Sequence, residues 1–329
     1  MIRRRLGKSD LHITPLGIGT WAMGGPIKNW GRGPQSDHDS LAAMERALDM
    51  GVNWIDTAPV YGIGHAEELV GTLLKRRAGG TRPLIFTKCG IRWDKDENYT
   101  LSLSEASLRR ELEKSLLRLG AEVIDLYQIH TPSYPRRSPY KGGIEEAMVA
   151  MSRFRAEGKV REIGISNCDV PQIQAALSIA EISCLQPQYS LLQREVEQQV
   201  LPFCAQKGIG VIVYSPMHSG LLSGTTSKEK LASLPEDDWR RRQPDFQEPK
   251  LSVNLEQAER VKRVARRYGC TAAEIAVAWT LRTNSVTGAI VGLRKPEQVD
   301  AVFGAASRIL NNNDIAEIEG DLIRSHNDR

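Results

Sequence analysis

The chain has 329 residues, 41% of them apolar and 26% charged, with Lys plus Arg exceeding Asp plus Glu by only 44 to 40. This fits one large α/β domain or two ordinary ones and gives no case for a nucleic-acid partner. The five cysteines (Cys89, Cys168, Cys184, Cys204, Cys270) form no C-x-x-C pair, the N-terminus MIRRRLGKSD lacks a following apolar core, and no stretch reaches the roughly 18 uncharged apolar residues of a membrane helix, so the expectation is a reduced, soluble, cytoplasmic protein with no membrane partner.

In chain order, residues 2–5 and 11–13 flank the turn Gly7-Lys8-Ser9-Asp10 and predict a hairpin. Short apolar, β-branched runs follow at 16–19, 52–55, 84–88, 123–129, 162–166, 184–186, 211–214 and 289–291. Amphipathic stretches lie between them, among them 39–50, 105–119, 145–156, 172–180 and 256–268. Ser102-Leu103-Ser104-Glu105 and Thr271-Ala272-Ala273-Glu274 read as capping boxes for two of these. Residues 216–254 read as a long polar insertion without structure of its own, a kind of segment that usually carries function. Eight strands alternating with helices, over a length somewhat above ~250 residues, predict an α/β fold: a single (β/α)8 TIM barrel over 1–329, with an N-terminal β-hairpin and a long loop after strand 7.

One motif points elsewhere. Gly17-Ile18-Gly19-Thr20-Trp21-Ala22 satisfies G-x-G-x-x-A, with Asp37 and Asp39 near the place where a Rossmann fold keeps its ribose-binding acid. That motif needs a helix to begin inside it, and here the chain runs on as Met23-Gly24-Gly25-Pro26, which cannot continue one. A doubly wound dehydrogenase is therefore set aside.

In a parallel barrel the C-terminal strand ends carry the chemistry. Strand two ends on Asp56, strand three on Lys88 and strand four on His130, and Tyr61 follows on the loop after the second. A carbonyl that accepts hydride develops negative charge on oxygen and needs a proton, hence an acid of tunable pKa and a polarising donor. Tyr61 and His130 suit those roles. An ammonium at Lys88 would stabilise the phenolate and bring Tyr61 toward working pH, while Asp56 would orient the ammonium. The six histidines include no H-x-H or H-x-x-x-H pair, so no metal site is expected, and no tyrosine is followed by lysine four residues on, which excludes the short-chain dehydrogenase arrangement.

Over nearly its whole length the chain resembles the aldo-keto reductases. The likeness rests on Leu16-Gly17-Ile18-Gly19-Thr20-Trp21, Ile55-Asp56-Thr57-Ala58, Val60-Tyr61-Gly62, Glu67-Glu68, Thr87-Lys88 and Asp125-Leu126-Tyr127-Gln128-Ile129-His130. Gly158-Lys159-Val160-Arg161, Gly164-Ile165-Ser166-Asn167, Tyr214-Ser215-Pro216, Gly220-Leu221-Leu222-Ser223-Gly224 and Gly292-Leu293-Arg294-Lys295-Pro296-Glu297-Gln298 continue it. Asp237-Asp238-Trp239-Arg240 and Phe246-Gln247 resemble the bacterial general-stress and inositol-associated members more than the aldose reductase branch.

The resemblance implies an NADP(H)-dependent oxidoreductase that reduces aldehydes or ketones, reversibly, with Asp56, Tyr61, Lys88 and His130 as its catalytic tetrad. It implies that Ser166, Asn167 and Gln188 hold the nicotinamide carboxamide and that Tyr214 stacks under the ring. Thr20, Trp21 and Asp56 would border the cofactor, and Ser215, Pro216, Met217, Gly220, Leu222 and Ser223 would cover the pyrophosphate. Gly292, Arg294, Lys295 and Gln298 would take the far end, the Arg fork favouring NADPH over NADH. Trp21, Trp30 and Trp93 are expected on loops at the mouth, and Trp21, Tyr61, Trp93, His130 and Thr131 around the substrate. Thr225 and Val302 stand where many relatives have Lys and Asn, and Thr131 where many have Trp. The alternative is a cofactor-holding regulatory subunit with little turnover.

Overall fold

The computed structural model describes residues 1–25, 33–132, 143–236 and 238–320. Trp30 and Asp237 lie outside them. Strands β1 (Arg4–Arg5) and β2 (His12–Ile13) form the predicted N-terminal hairpin, Arg4 facing Ile13 and Arg5 facing His12. The barrel strands are β3 (Leu16–Gly19), β4 (Trp54–Asp56), β5 (Leu84–Cys89) and, after the short pair β6 (Ile91–Trp93) and β7 (Tyr99–Leu101), β8 (Ile124–Ile129). They continue with β9 (Val160–Ser166), β10 (Cys184–Gln186), β11 (Gly210–Val213) and β12 (Gly288–Gly292). Eight parallel strands close in the order β10-β11-β12-β3-β4-β5-β8-β9. Helices on the outside include Asp37–Asp49, His65–Arg76, Glu105–Leu119, Ile144–Ala156 and Lys250–Tyr268.

The two-residue period of a strand divides its side chains between the inside of the barrel and the helices. Trp54, Phe86, Leu126, Cys184, Ile212 and Ile290 fill the inside, and Leu6, Leu11 and Ile13 of the hairpin plug its floor. Their neighbours Ile55, Ile85, Tyr127 and Leu185 pack outward against helices. The Trp54 indole lies 5.2 Å from Phe86 and donates Nε1 to the Thr14 carbonyl at 2.9 Å; truncating such a ring costs about 3–5 kcal/mol. The same indole accounts for the dinucleotide-like glycines. A Cβ on Gly17 would stand 2.2 Å from Trp54, and one on Gly19 would stand 2.7 Å from Ile290. They are small because the barrel interior is full.

Four local expectations change. Residues 91–101 form a hairpin, so Trp93 pairs with Tyr99 in a strand and is not on a loop. Helix Glu105–Leu119 starts from Ser104 with no side-chain cap, because the chain at Ser102 is tied back to the hairpin through its amide on Gly90 at 2.9 Å. Thr271 does cap its helix, accepting from the Glu274 amide at 3.0 Å, but the Glu274 carboxylate takes Arg308 at 2.8 Å instead of closing the box. The insertion after β11 also has structure of its own. It contains 3-10 turns at His218–Ser223, Trp239–Arg242 and Pro244–Phe246 and a helix at Lys228–Ala232, packed on Leu221, Leu231, Phe246 and Leu251. No helix among the described residues is long and apolar enough to cross a membrane.

Candidate active site

Moving two residues up each strand from the apolar interior layer leads from Trp54 to Asp56, from Phe86 to Lys88, from Leu126 to Gln128 and from Cys184 to Gln186. The uppermost interior layer is therefore polar. Lys88 is fully buried, donating from Nζ to Asp56 Oδ1 at 2.5 Å, to the Thr57 carbonyl at 3.0 Å and to the Tyr61 hydroxyl at 3.2 Å. Thr20 holds the Asp56 backbone with its amide and hydroxyl, at 3.0 and 3.1 Å. Tyr61 is placed by a close backbone crossing: Gly62 has φ +63, and a Cβ there would stand 2.0 Å from the Gly24 carbonyl oxygen. The His130 ring meets Tyr61 edge-on, with centroids 5.8 Å apart at 82°.

Burial decides the protonation states of Tyr61 and His130. It raises the Tyr61 pKa above 10.0, with Lys88 pulling it down and Asp56 adding to the rise. This corrects the expectation that Lys88 would bring Tyr61 toward working pH: burial of the phenol outweighs the ammonium. The Lys88 pKa is raised above 10.5, because Asp56 and Tyr61 together overcome the desolvation that lowers it, so its ammonium persists. His130 is lowered well below 6.5, first by burial and then by Lys88, and is a neutral imidazole at neutral pH.

Above this layer lies a cleft of about 750 Å³ lined both by Tyr61 and His130 and by Gln298 and Val302. Of the residues expected around a cofactor, Thr20, Trp21, Asp56, Ser166, Asn167, Gln188 and Tyr214 line it. Ser215, Pro216, Met217, Gly220, Ser223, Gly292 and Gln298 do so as well. Asn167 and Ser215 follow their strands with φ of 56° and 55°, left-handed values that non-glycine residues keep where the surroundings over-determine them. Asn167 accepts from the Tyr214 hydroxyl at 2.8 Å and donates to the His130 carbonyl at 3.0 Å and to Ser166 Oγ at 3.1 Å.

Besides Arg294, four of the expected residues are not among the cleft-lining ones on the cofactor side or the substrate side: Leu222, which is buried in the core, Lys295, Trp93 and Thr131. Arg294 is also set back from the wall, its guanidinium donating to Gln35 Oε1 and the Pro34 carbonyl, each at 2.5 Å. Burial, and then nearby Arg240, lower its pKa.

Sequence reasoning missed Gln186. Its Nε2 donates to Asp56 Oδ2 at 2.8 Å, leaving neither carboxylate oxygen of Asp56 unbonded. The signal was available, since Gln186 ends a short apolar strand just as Asp56 does. Trp239, which meets Trp21 edge-on at 5.6 Å in the cleft wall, had no comparable signal in the polar insertion. Among the described residues no group of three or more His, Cys, Asp or Glu could hold a metal ion.

A profile of the Aldo/keto reductase family matches residues 15–322. The chain is 34% identical to the NADH-specific methylglyoxal reductase of Escherichia coli, covering 89% of this chain and 90% of the relative. It is 32% identical to aldo-keto reductase YhdN of Bacillus subtilis, covering 95% and 91%. Among solved structures, the glycerol dehydrogenase AKR11B4 from Gluconobacter oxydans superposes with a TM-score of 0.85 at 31% identity, covering 98% of this chain and 95% of that one.

Proposed function

Because the chain belongs to the aldo/keto reductase family and is an oxidoreductase of carbonyl substrates, we propose that it reduces small aldehydes and ketones with NADPH, using Tyr61 as the acid. One observation carries the reading: Lys88 joins Asp56 and Tyr61, at 2.5 and 3.2 Å, at the foot of a cleft whose wall includes Tyr61 and His130. Tyr61, protonated across the neutral range, gives its proton to the carbonyl oxygen as charge develops there, and takes it back in the reverse direction. Lys88 supports the phenolate that remains, and Asp56 keeps the ammonium in place. Neutral His130 polarises the carbonyl as a hydrogen-bond donor without adding a charge that would compete with Lys88.

A nicotinamide dinucleotide would supply the hydride. The cleft suits one: amide and hydroxyl groups of Ser166, Asn167 and Gln188 stand on its wall beside Tyr214, and Gly292 faces open space where a Cβ would meet nothing within 4 Å. Ser215, Pro216, Met217, Gly220 and Ser223 would lie along the pyrophosphate. NADPH is favoured because the Arg294 guanidinium, held on Gln35 and the Pro34 carbonyl beside Gln298 and Lys295, is a donor fork suited to a 2′-phosphate. NADH is the competing coenzyme, given the name of the Escherichia coli relative. The segment around Trp239 and Phe246 supports grouping the chain with the general-stress and inositol-associated members.

The test follows NADPH oxidation with a reactive aromatic aldehyde in the wild type and in Tyr61→Phe, with coenzyme binding read by fluorescence. Loss of a proton donor should cost about 10²–10⁴ in kcat and leave coenzyme binding intact. Tight binding with no turnover on any carbonyl would instead favour a cofactor-holding subunit.

A further inference from the structure

We propose that Gln128 is a positioning residue for carbonyl reduction, acting through the Gln186 amide on Asp56 and touching no ligand. The inference rests on the reading of Asp56, Lys88, Tyr61 and His130 given above. Gln128 is fully buried on β8, is not part of the cleft wall, and is the register partner of Lys88 on one side and Gly164 on the other. Its side chain passes over β9 where Gly164 leaves room: a Cβ there would stand 3.1 Å from Gln128 Cγ and 2.9 Å from the Cys184 carbonyl oxygen. It thereby reaches the next strand, where Gln186 Nε2 donates to Gln128 Oε1 at 3.3 Å and to Asp56 Oδ2 at 2.8 Å.

An amide nitrogen has two hydrogens in one plane, so an acceptor for one fixes where the other points. Gln128 thus sets the plane of the Gln186 amide, and that amide anchors the carboxylate oxygen of Asp56 that Lys88 does not use. The arrangement is not the most stable one available to a barrel interior. Gln128 Nε2 is buried with no hydrogen-bond partner among the described residues, which an apolar side chain of similar size would avoid. A costly polar group in the same interior layer as Asp56 and Lys88 is where a sequence departs from its own packing rules for function.

The chemical consequence runs through charge. Asp56 makes Tyr61 harder to ionise and Lys88 makes it easier. A donor held on Asp56 Oδ2 draws carboxylate charge away from the phenol, and losing the acceptor that orients it strengthens the opposing field.

The experiment compares wild type, Gln128→Leu and Gln128→Met in both reaction directions across pH, with Tm measured on each, and repeats Gln128→Leu in a Gln186→Met background. The expected result is kcat about three- to tenfold lower with KM unchanged, and an alcohol-oxidation profile whose midpoint moves up by about 0.5 pH unit. Tm should equal or exceed that of the wild type, and the Gln128→Leu effect should vanish once Gln186 is replaced. Wild-type kcat and midpoint in both Gln128 variants would overturn the inference. So would a loss of kcat that comes with a lower Tm and persists in full beside Gln186→Met, since that is structural damage. Tyr61→Phe is run alongside: if it keeps full activity, the reading of the four residues fails, whereas an inactive Tyr61→Phe with unaffected Gln128 variants defeats only this inference.

Discussion

At the scale of single residues, burial outweighs pairwise charge at Tyr61 and His130, and pairwise charge outweighs burial at Lys88. The Asp56–Lys88 pair alone suggests a phenol eased toward ionisation, yet burial leaves Tyr61 above its ordinary pKa and His130 well below its own. Both results suit the proposed proton donation to a carbonyl at neutral pH: the phenol is protonated there, and the imidazole carries no charge that would repel Lys88. Arg294 invites a test at the same scale. Its fork is already held by Gln35 and the Pro34 carbonyl, so it is pre-oriented and would lose little freedom on meeting a phosphate. A charge-assisted bond is worth about 1.5–3 kcal/mol, so Arg294→Ala should weaken NADPH binding about 10- to 100-fold and leave NADH nearly unchanged. Equal losses for both coenzymes in a titration would remove the 2′-phosphate role.

At the scale of elements, the barrel was legible because its strands are short apolar runs and its helices are periodic, two patterns set by local geometry. Strand β10 and helix Glu105–Leu119 match their predicted ranges, and a single rule about strand ends singled out Asp56, Lys88 and His130, which stand at or within one residue of the ends of β4, β5 and β8. The hairpin β6–β7 was not legible, since Ile91-Arg92-Trp93 and Tyr99-Thr100-Leu101 are separated by a polar stretch with no strong turn signal. The insertion after β11 read as unstructured because its few apolar residues are far apart in sequence and meet only in space, as Leu221, Leu231, Phe246 and Leu251. His218 ties it further, reaching Asp245 at 3.0 Å from one ring nitrogen and Ser190 at 3.2 Å from the other. So small a cluster depends on each member. Phe246→Ala should loosen the insertion by about 3 kcal/mol, speeding proteolytic cleavage within 225–249 and weakening coenzyme binding while the main unfolding transition moves little. Cleavage at the wild-type rate would mean that the insertion is held by other means.

At the scale of the whole molecule, two buried groups give the stability opposite dependences on pH. His130 stays neutral in the folded chain, whereas the unfolded chain takes up a proton below about pH 6.5, so its contribution is lost as pH falls below that value. Glu111 is the reverse case. Its carboxyl lies under the outer side of β5, accepting from the Gly90 amide at 2.9 Å and from Ser107 Oγ at 3.1 Å, and burial raises its pKa from 4.5 to about 7. Between those values the folded chain holds a proton that the unfolded chain has released, so stability is present in full below pH 4.5 and is lost as pH rises through about 7. Over that window the loss is about 3 kcal/mol. Just below about pH 6.5 the two dependences oppose each other, so the wild-type profile by itself conceals both. Glu111→Gln separates them, because an amide can still accept from Gly90 and donate to Ser107 without ever carrying charge. Its Tm should match the wild type near pH 4.5, rise above it with increasing pH, and hold a constant advantage above about pH 7. A difference that stays the same from pH 4.5 to 8 would mean that Glu111 titrates alike in the folded and unfolded chains, and that the carboxyl beneath the Lys88 strand is no deeper in effect than a surface one.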